Sequence, residues 1–274
     1  MSDALGDDDE AYRALLTRIH ARGAFACGSY RDGCLRRRLA VRMRACRTPT
    51  YAAYAAHLEA HPAEWARLLA ALTINVTQFF RNPEVWEALA TRVVPALWRV
   101  PGPLRIWSAG CASGEEPWGL AMLFHAHAAA VGAVDQLPRV AITATDIDVT
   151  VLAAAAAAQY RPAALREMPA TLRETYLVGE PATVIPALHP LVRFVRHDLH
   201  LDPPLPGRFH LIVCRNVLIY FEPSAQDAVL QRFHTALVPG GQLVVGNSEA
   251  LLGAARRWFV PQDPAVRLFA KVGA

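Results

Sequence analysis

Four short stretches of this sequence combine residue types that could do chemistry. The first is Ala109-Gly110-Cys111-Ala112-Ser113-Gly114-Glu115-Glu116-Pro117. Small residues let a backbone turn tightly and approach a ligand closely, and Pro117 suits the first turn of a following helix. The two carboxylates would repel a phosphate and attract a cation. In the second stretch, Thr145-Asp146-Ile147-Asp148, Asp146 stands 36 residues after Gly110, placed to accept hydrogen bonds from ribose hydroxyls. The competing role for Asp146 is a helix N-cap. Asp148, directly before an alanine-rich run, fits that cap better and leaves Asp146 to a ligand. The third stretch, His197-Asp198-Leu199, offers an acid beside an apolar wall. The fourth, Cys214-Arg215-Asn216-Val217-Leu218-Ile219-Tyr220-Phe221, sets a polar pair between apolar runs, and such a pair must be hydrogen-bonded if buried. A ligand with a cationic end and a ribose suits this set, and S-adenosylmethionine carries both a sulfonium and an ammonium. The absence of a GxGxxG pattern disfavours a dinucleotide-dependent oxidoreductase.

Such residues work together only if something gathers them. In doubly wound sheets ligands lie beyond the carboxyl ends of the strands, and the stretches fall in those places. Leu104 to Ser108, Val140 to Thr145, Val192 to Val195, His210 to Cys214 and Gln242 to Val245 are short apolar runs. Pro117 to Ala130, Val149 to Gln159 and Ser224 to Leu237 read as helices between them. That alternation predicts βαβ units and a parallel sheet covered on both faces. Ala265 to Val272 is expected as an antiparallel edge strand. The Ala153 to Ala158 run needs no function, since alanine is the best helix former.

Upstream the pattern changes. Residues 11 to about 72 read as a small helical bundle, with no strand signal. Leu35, Leu39, Met43 and Cys46 recur at helical spacing, which turns Arg36, Arg37 and Arg44 largely to other faces. Tyr51 to Ala60 predicts a further helix, and a helix after Pro62 carries Trp65, Leu68, Leu69 and Leu72 on one stripe. Pro101-Gly102-Pro103 punctuates the entry to the sheet.

Composition narrows the classes. The 274 residues are 53% hydrophobic and carry a net charge of +4, enough for one large domain and a small one. No apolar run reaches the roughly 18 residues that span a bilayer. Asp3 and Asp7 to Glu10 oppose the sign of a secretory leader, so a cytoplasmic protein without membrane insertion is expected. Five scattered cysteines form no CxxC pair, which suggests reduced thiols, with neither a zinc site nor a disulfide framework. Between Arg31 and Arg47 seven arginines face one acid, Asp32. That asymmetry points to an acidic partner without naming one; a solvated face or general nucleic-acid affinity are the competing readings.

These motifs together resemble the chemotaxis receptor methyltransferase family, CheR. Five ordered segments carry the resemblance: Leu72-Thr73-Ile74-Asn75-Val76-Thr77-Gln78-Phe79-Phe80-Arg81; Trp107 to Pro117; Ala144-Thr145-Asp146-Ile147-Asp148; Cys214 to Phe221; and Pro239-Gly240-Gly241 followed by Gly246-Asn247-Ser248-Glu249. The resemblance implies an α/β, doubly wound Rossmann-like S-adenosylmethionine-dependent methyltransferase sheet with a small all-helical N-terminal domain. The implied domains are a substrate-docking helical part (11–72), a linker contributing to the active site (73–92) and the cofactor-binding domain (93–274), with a small β-subdomain near 176–197. It further implies that Asn75, Thr77 and Arg81 sit over the cofactor, that Glu115 binds its methionine moiety and Asp146 its ribose. Asp198 and Leu199 would border the adenine, Arg215 and Asn216 would complete the pocket, and Arg81 and Tyr220 would act on the substrate carboxylate. Core packing is expected for Phe79 and Phe80.

The reaction implied is methyl esterification of glutamate side chains on chemoreceptors, releasing S-adenosylhomocysteine and requiring no metal. Arg36, Arg37, Arg38, Arg42 and Arg44 would dock the acidic receptor helices. Two other readings stand beside it: a signalling module that binds S-adenosylmethionine without turnover, and a methyltransferase of a non-chemotaxis protein. The sequence departs from the family in three places. Val76 stands where many relatives have threonine, and Asp198 where they often have asparagine. Between Tyr176 and His197 the segment is short, with Val184 to Leu188 as its one expected strand, which implies independence from a C-terminal receptor peptide tether.

Overall fold

Apolar residues at helical spacing build the first of two compact units, which takes in residues 1–74 and 220–226. The computed structural model describes residues 2–22, 25–73 and 75–273, with side chains from Asp8 onward. Ile74 of the quoted motif, Gly23 and Ala24 of the expected bundle, and the side chains of Asp3 and Asp7 lie outside the described residues. The unit's helices are α1 (Ser2–Ala21), α2 (Asp32–Cys46), α3 (Tyr51–Ala60) and α4 (Ala63–Leu72). Tyr12, Leu15, Ile19, Leu35, Leu39, Tyr54, Leu58, Trp65 and Leu68 are buried and form its core. Each fully buried leucine contributes about 1.5–3 kcal/mol through the apolar area it removes from water. Thr50 caps α3 by accepting from the Ala53 amide at 3.1 Å, satisfying one of the donors a helix start leaves open. The α4 stripe holds at Trp65, Leu68 and Leu72, while Leu69 is half-buried and Glu64 is buried with the stripe.

The second unit, residues 75–219 and 227–274, opens with α5 (Pro83–Ala88), a π-turn over Leu89–Val93 and α6 (Val94–Trp98). There follow β1 (Leu104–Ala109), α7 (Glu115–Ala130), β2 (Val140–Asp146), α8 (Val149–Ala157) and β3 (Gln159–Tyr160). Next come α9 (Ala170–Tyr176), β4 (Leu177–Val178), β5 (Ala182–Val184), β6 (Val192–Arg196) and β7 (Phe209–Cys214). The chain ends with α10 (Pro223–Ala236), whose first residues cluster with the first unit, then β8 (Leu237–Val245), α11 (Ala255–Trp258), β9 (Phe259–Asp263) and β10 (Leu268–Lys271).

Seven strands form one sheet in the order β6-β2-β1-β7-β8-β10-β9. The first five run parallel, and β10 runs antiparallel to both its neighbours. The near-continuous burial of β1 and β7 is what a parallel sheet covered on both faces requires. Chain order reverses at β1, which pairs with β2 on one side and β7 on the other. That switch opens a crevice beyond their carboxyl ends, where ligands bind in such folds.

Two sequence expectations need correction. The C-terminal strand β10 is not the edge: β9, whose Val260-Pro261-Gln262 is mostly exposed and gave no apolar run, pairs outside it. The inserted subdomain has three strands, ordered β3-β5-β4, where one was expected. Its β3 lies outside the 176–197 window, and the second half of the expected 184–188 strand is a short helix, Pro186–Leu191. Pro186 at its start has no amide to give to a sheet ladder. Strands of two or three residues carry too few side chains for an alternation to be read.

Candidate functional site

The loop after β1 is shaped by its small residues. The amides of Gly110 and Cys111 both donate to the Thr145 carbonyl, each at 2.8 Å, pinning the loop to the end of β2. Gly110 has φ of +76°, and a Cβ there would meet Val217 Cγ2 at 2.5 Å. Gly114 has φ of +92°, and a Cβ would lie 2.7 Å from that of Ala155. Both positions require glycine on conformational and steric grounds. The Gly114 carbonyl then accepts from the Trp118 amide, and α7 begins with Glu115 and Glu116 in its first turn.

Asp146, at the end of β2, accepts from the Ala112 amide through Oδ2 (2.9 Å) and from the Asp148 amide through Oδ1 (3.0 Å). It therefore ties the β1 loop to the β2 loop and is not free, although each carboxylate oxygen keeps a second lone pair. The N-cap falls on Asp148, whose Oδ1 accepts from Thr150 and whose Oδ2 accepts from Asn75 Nδ2 at 3.0 Å. Asn75 is thereby fixed to the second unit's sheet. Glu115 is buried and accepts from Ser113 Oγ through both oxygens. Thr77, Ser113 and Glu115 line one cleft of about 370 Å³ with Val76, Gln78 and Tyr160.

Arg215, at the end of β7, is buried. Its Nη2 donates to the Arg81 carbonyl at 2.6 Å and to Asn82 Oδ1 at 2.9 Å, while Nη1 stands 3.9 Å from Glu116 Oε2. The turn it grips is unusual, since Phe80 (φ 56°) and Asn82 (φ 63°) both adopt the left-handed region on either side of Arg81. Bulky residues in that region are strained. The Trp86 indole N–H donates to the same Arg81 carbonyl, and the Asn82 amide donates to Glu167, so the turn is held from three sides. Phe79 and Phe80 pack in the core as expected. The Arg81 guanidinium donates to the Val76 carbonyl at 3.3 Å.

The remaining expected residues are placed as follows. Asp198 is buried and accepts from the amides of His200 and Leu201, while Leu199 gives its carbonyl to Arg232. Asn216 has φ of 60° and donates its amide to Glu249. Tyr220 ends a short helix, Leu218–Tyr220, and its carbonyl accepts from the Arg31 amide at 2.9 Å within the first unit. Glu249, the last residue of the Gly246-Asn247-Ser248-Glu249 motif, carries no role in the sequence reading; its carboxylate accepts from four backbone amides. Glu116 accepts from Ser108 Oγ at 2.8 Å.

Charge at the strand ends is unbalanced. Glu115, Asp146 and Glu249 are buried, Glu116 nearly so, and Arg215 is the buried cation beside them. Burial raises the pKa of Glu115, opposed by Ser113, and that of Glu116, opposed by Arg215 and Ser108. It raises Asp146 and Glu249 against their amide donors, and lowers Arg215 against the pull of Glu116. The excess of carboxylates produces a negative potential that suits a ligand bearing a sulfonium and an ammonium. The buried carboxylates, the glycine approaches and the acid at the end of β2 thus fit S-adenosylmethionine.

The expected docking arginines divide. The Arg42 guanidinium makes a two-pronged contact with buried Glu64, both bonds at 2.8 Å, and so braces α2 on α4. Arg36 is shared between Asp9 and Asp32 and lies over the Tyr12 ring at 3.9 Å. Arg38 is half-buried, with its Nε enclosed. Arg37 and Arg44 are exposed.

A parallel sheet with one antiparallel strand, a small-residue loop after β1 and an acid at the end of β2 define a Rossmann-like, S-adenosylmethionine-dependent methyltransferase. The family descriptions "CheR methyltransferase, all-alpha domain" and "CheR methyltransferase, SAM binding domain" match residues 10–73 and 75–264, and the chain belongs to the CheR methyltransferase family. It is similar to a chemotaxis protein methyltransferase of Listeria monocytogenes, 37% identical over 75% of this chain and 77% of that one. A chemotaxis protein methyltransferase of Salmonella typhimurium is 30% identical over 94% of this chain and 90% of its own length. An uncharacterized 104.1 kDa protein of Rhodobacter capsulatus is 37% identical over 81% of this chain, which spans only 24% of that relative. No helix among the described residues is long and apolar enough to cross a membrane.

Proposed function

We propose that this protein methylates glutamate side chains of chemoreceptors, forming glutamate methyl esters and releasing S-adenosylhomocysteine. The observation that carries the reading is the strand-end cluster: Glu115, Asp146 and Arg215 buried at one switch point, with Arg215 clamped on the turn that bears Arg81. When bound, S-adenosylmethionine supplies an activated methyl group on a sulfonium leaving group. Glu115 takes its methionine end and Asp146 its ribose, with Asp198 and Leu199 bordering the adenine. Asn75, Thr77, Arg215 and Asn216 complete the pocket, and no metal takes part. In this reading residues 73–92 contribute to the active site, 11–72 dock substrate and 93–274 bind the cofactor.

The substrate carboxylate is ionised at pH 7, so no general base is needed. One of its oxygens would take the methyl group, with the bonding pair of the broken C–S bond left on the sulfur. What the protein adds is alignment and exclusion of water, which can supply up to about 7–11 kcal/mol. Arg81 and Tyr220 hold the incoming carboxylate. Arg81 works by positioning, because tight pairing would stabilise the ground state as well. The reading is tested by incubating the protein with methyl-labelled cofactor and receptor cytoplasmic fragments. Base-labile label on glutamate is the expected result; cofactor binding with no label on any receptor would overturn it.

Docking falls to the exposed arginines of α2. Reversing Arg37 and Arg44 to glutamate is expected to raise KM for receptor about tenfold and flatten its salt dependence, with cofactor affinity unchanged. Loss of cofactor binding would count against the assignment. The subdomain strands β3, β4 and β5 are only two or three residues long. Deleting a receptor's C-terminal peptide should accordingly leave its KM unchanged, and a large rise would restore the tether.

A further inference from the structure

The loop that follows β7 carries Arg215 and Asn216 and leads into Tyr220, yet almost nothing in its own sequence fixes its shape. Asn216 stands at φ of 60°, and the segment 215–219 meets no strand before the short helix at Leu218. A single side chain from another element accepts from three of its amides. Glu249, beyond the end of β8, is 3% exposed. Its Oε2 accepts from the Asn216 amide at 3.0 Å and from the Gly246 amide. Its Oε1 accepts from the Val217 amide at 2.8 Å and the Ile219 amide at 3.3 Å.

We propose that Glu249 is a positioning residue for cofactor binding and methyl transfer: its carboxylate holds the 215–219 loop so that Arg215 reaches the turn bearing Arg81. The geometry is specific to a carboxylate, because only that side chain offers two acceptor oxygens and no donor. Glutamine would turn an NH₂ against two of the amides, donor against donor. Arg215 reaches the Arg81 carbonyl and Asn82 from the loop so held, which links Glu249 to Arg81 through one intermediate side chain. Gly246 supplies independent support. A Cβ there would stand 2.8 Å from both the Asn216 nitrogen and Glu249 Oε2, and 3.0 Å from Asn216 Nδ2. Glycine thus keeps open the gap across which carboxylate and loop meet.

The inference rests on the cofactor-binding reading and on the methyl-transfer reading for its kinetic arm, so the two are measured separately. Calorimetry with S-adenosylmethionine needs no receptor; the labelled transfer assay does. For Glu249→Gln in the full chain, kcat per folded molecule at saturating cofactor should fall about 100-fold, the scale of a displaced catalytic group. Cofactor Kd should rise less, giving a split that simple loss of folded protein would not produce. Hydrogen exchange at the Asn216, Val217 and Ile219 amides should accelerate while β7 and β8 amides keep their protection. Gly246→Ala, which wedges the same contact from the other side, should move all three readouts in the same direction and decides the matter if Glu249→Gln does not fold. Wild-type kcat, Kd and loop exchange per folded molecule in either variant would overturn the proposal. If the wild-type protein binds cofactor but labels no receptor, the substrate reading falls, and Kd and exchange still judge Glu249.

Discussion

Arg81→Ala is expected to reduce methyl transfer by about 100-fold, the scale of a reacting group that has lost its positioning contact, while the protein stays folded. The separation is possible because the structure uses Arg81's backbone for architecture and its side chain for little. The carbonyl accepts from Trp86 and Arg215, and both bonds survive truncation at Cβ. The guanidinium's one described hydrogen bond is a long one to the Val76 carbonyl, so its loss should shift stability by less than about 1 kcal/mol. Steady-state rates with labelled cofactor, beside a thermal unfolding curve, check both halves. A variant that keeps the full rate would remove Arg81 from the mechanism. A variant that loses rate and fold together would mean that the strained Phe80–Asn82 turn depends on the side chain after all.

Much of this architecture was legible in advance because it is written in local patterns. The parallel strands announced themselves as short Val- and Ile-rich runs, and the cap on Asp148 followed from its place before the alanine run. The three-stranded subdomain was not legible, since two-residue strands contain no periodicity. Neither was β9, an exposed edge with Pro261 inside it. At the site, the residue types at strand ends pointed to a cationic, ribose-bearing ligand, but partners at long sequence separation were hidden. The sequence leaves Asp146 to a ligand, and in the structure its oxygens also receive the amides of Ala112 and Asp148. Glu249 lay in plain view in a motif; its role depends on amides 30 to 33 residues earlier in the chain. A pattern search reads side chains and cannot see which backbone groups lack partners.

The contact between Arg42 and Glu64, 22 residues apart, is equally invisible to local pattern and yields a stability prediction. Glu64, in the first turn of α4, is 2% exposed and accepts both Arg42 bonds together with the Tyr54 hydroxyl at 3.1 Å. Glu64→Ala should destabilise the helical unit by about 2–4 kcal/mol. That range is the cost of leaving a buried charge unpartnered, reduced because the Arg42 side chain keeps 20% exposure. Hydrogen exchange should show it as faster opening of α2 and α4 amides in the full chain. Replacing the three together, Arg42→Met and Glu64→Leu with Tyr54→Phe, should recover most of the loss, since the apolar groups leave neither an orphaned charge nor an orphaned hydroxyl between the helices. The pH dependence has a definite sign. Burial alone pushes the Glu64 carboxyl up, but hydrogen bonds from Arg42, Cys46 and Tyr54 outweigh it and hold the pKa below that of an ordinary glutamate. A carboxyl depressed on folding contributes stability above its unfolded pKa, about 4.3, and loses it as pH falls through the lower folded value. Protection of α2 and α4 should therefore decline below about pH 4 in the wild type, and that component should be missing from Glu64→Ala. Equal acid sensitivity in both proteins would show that the pair does not brace the bundle.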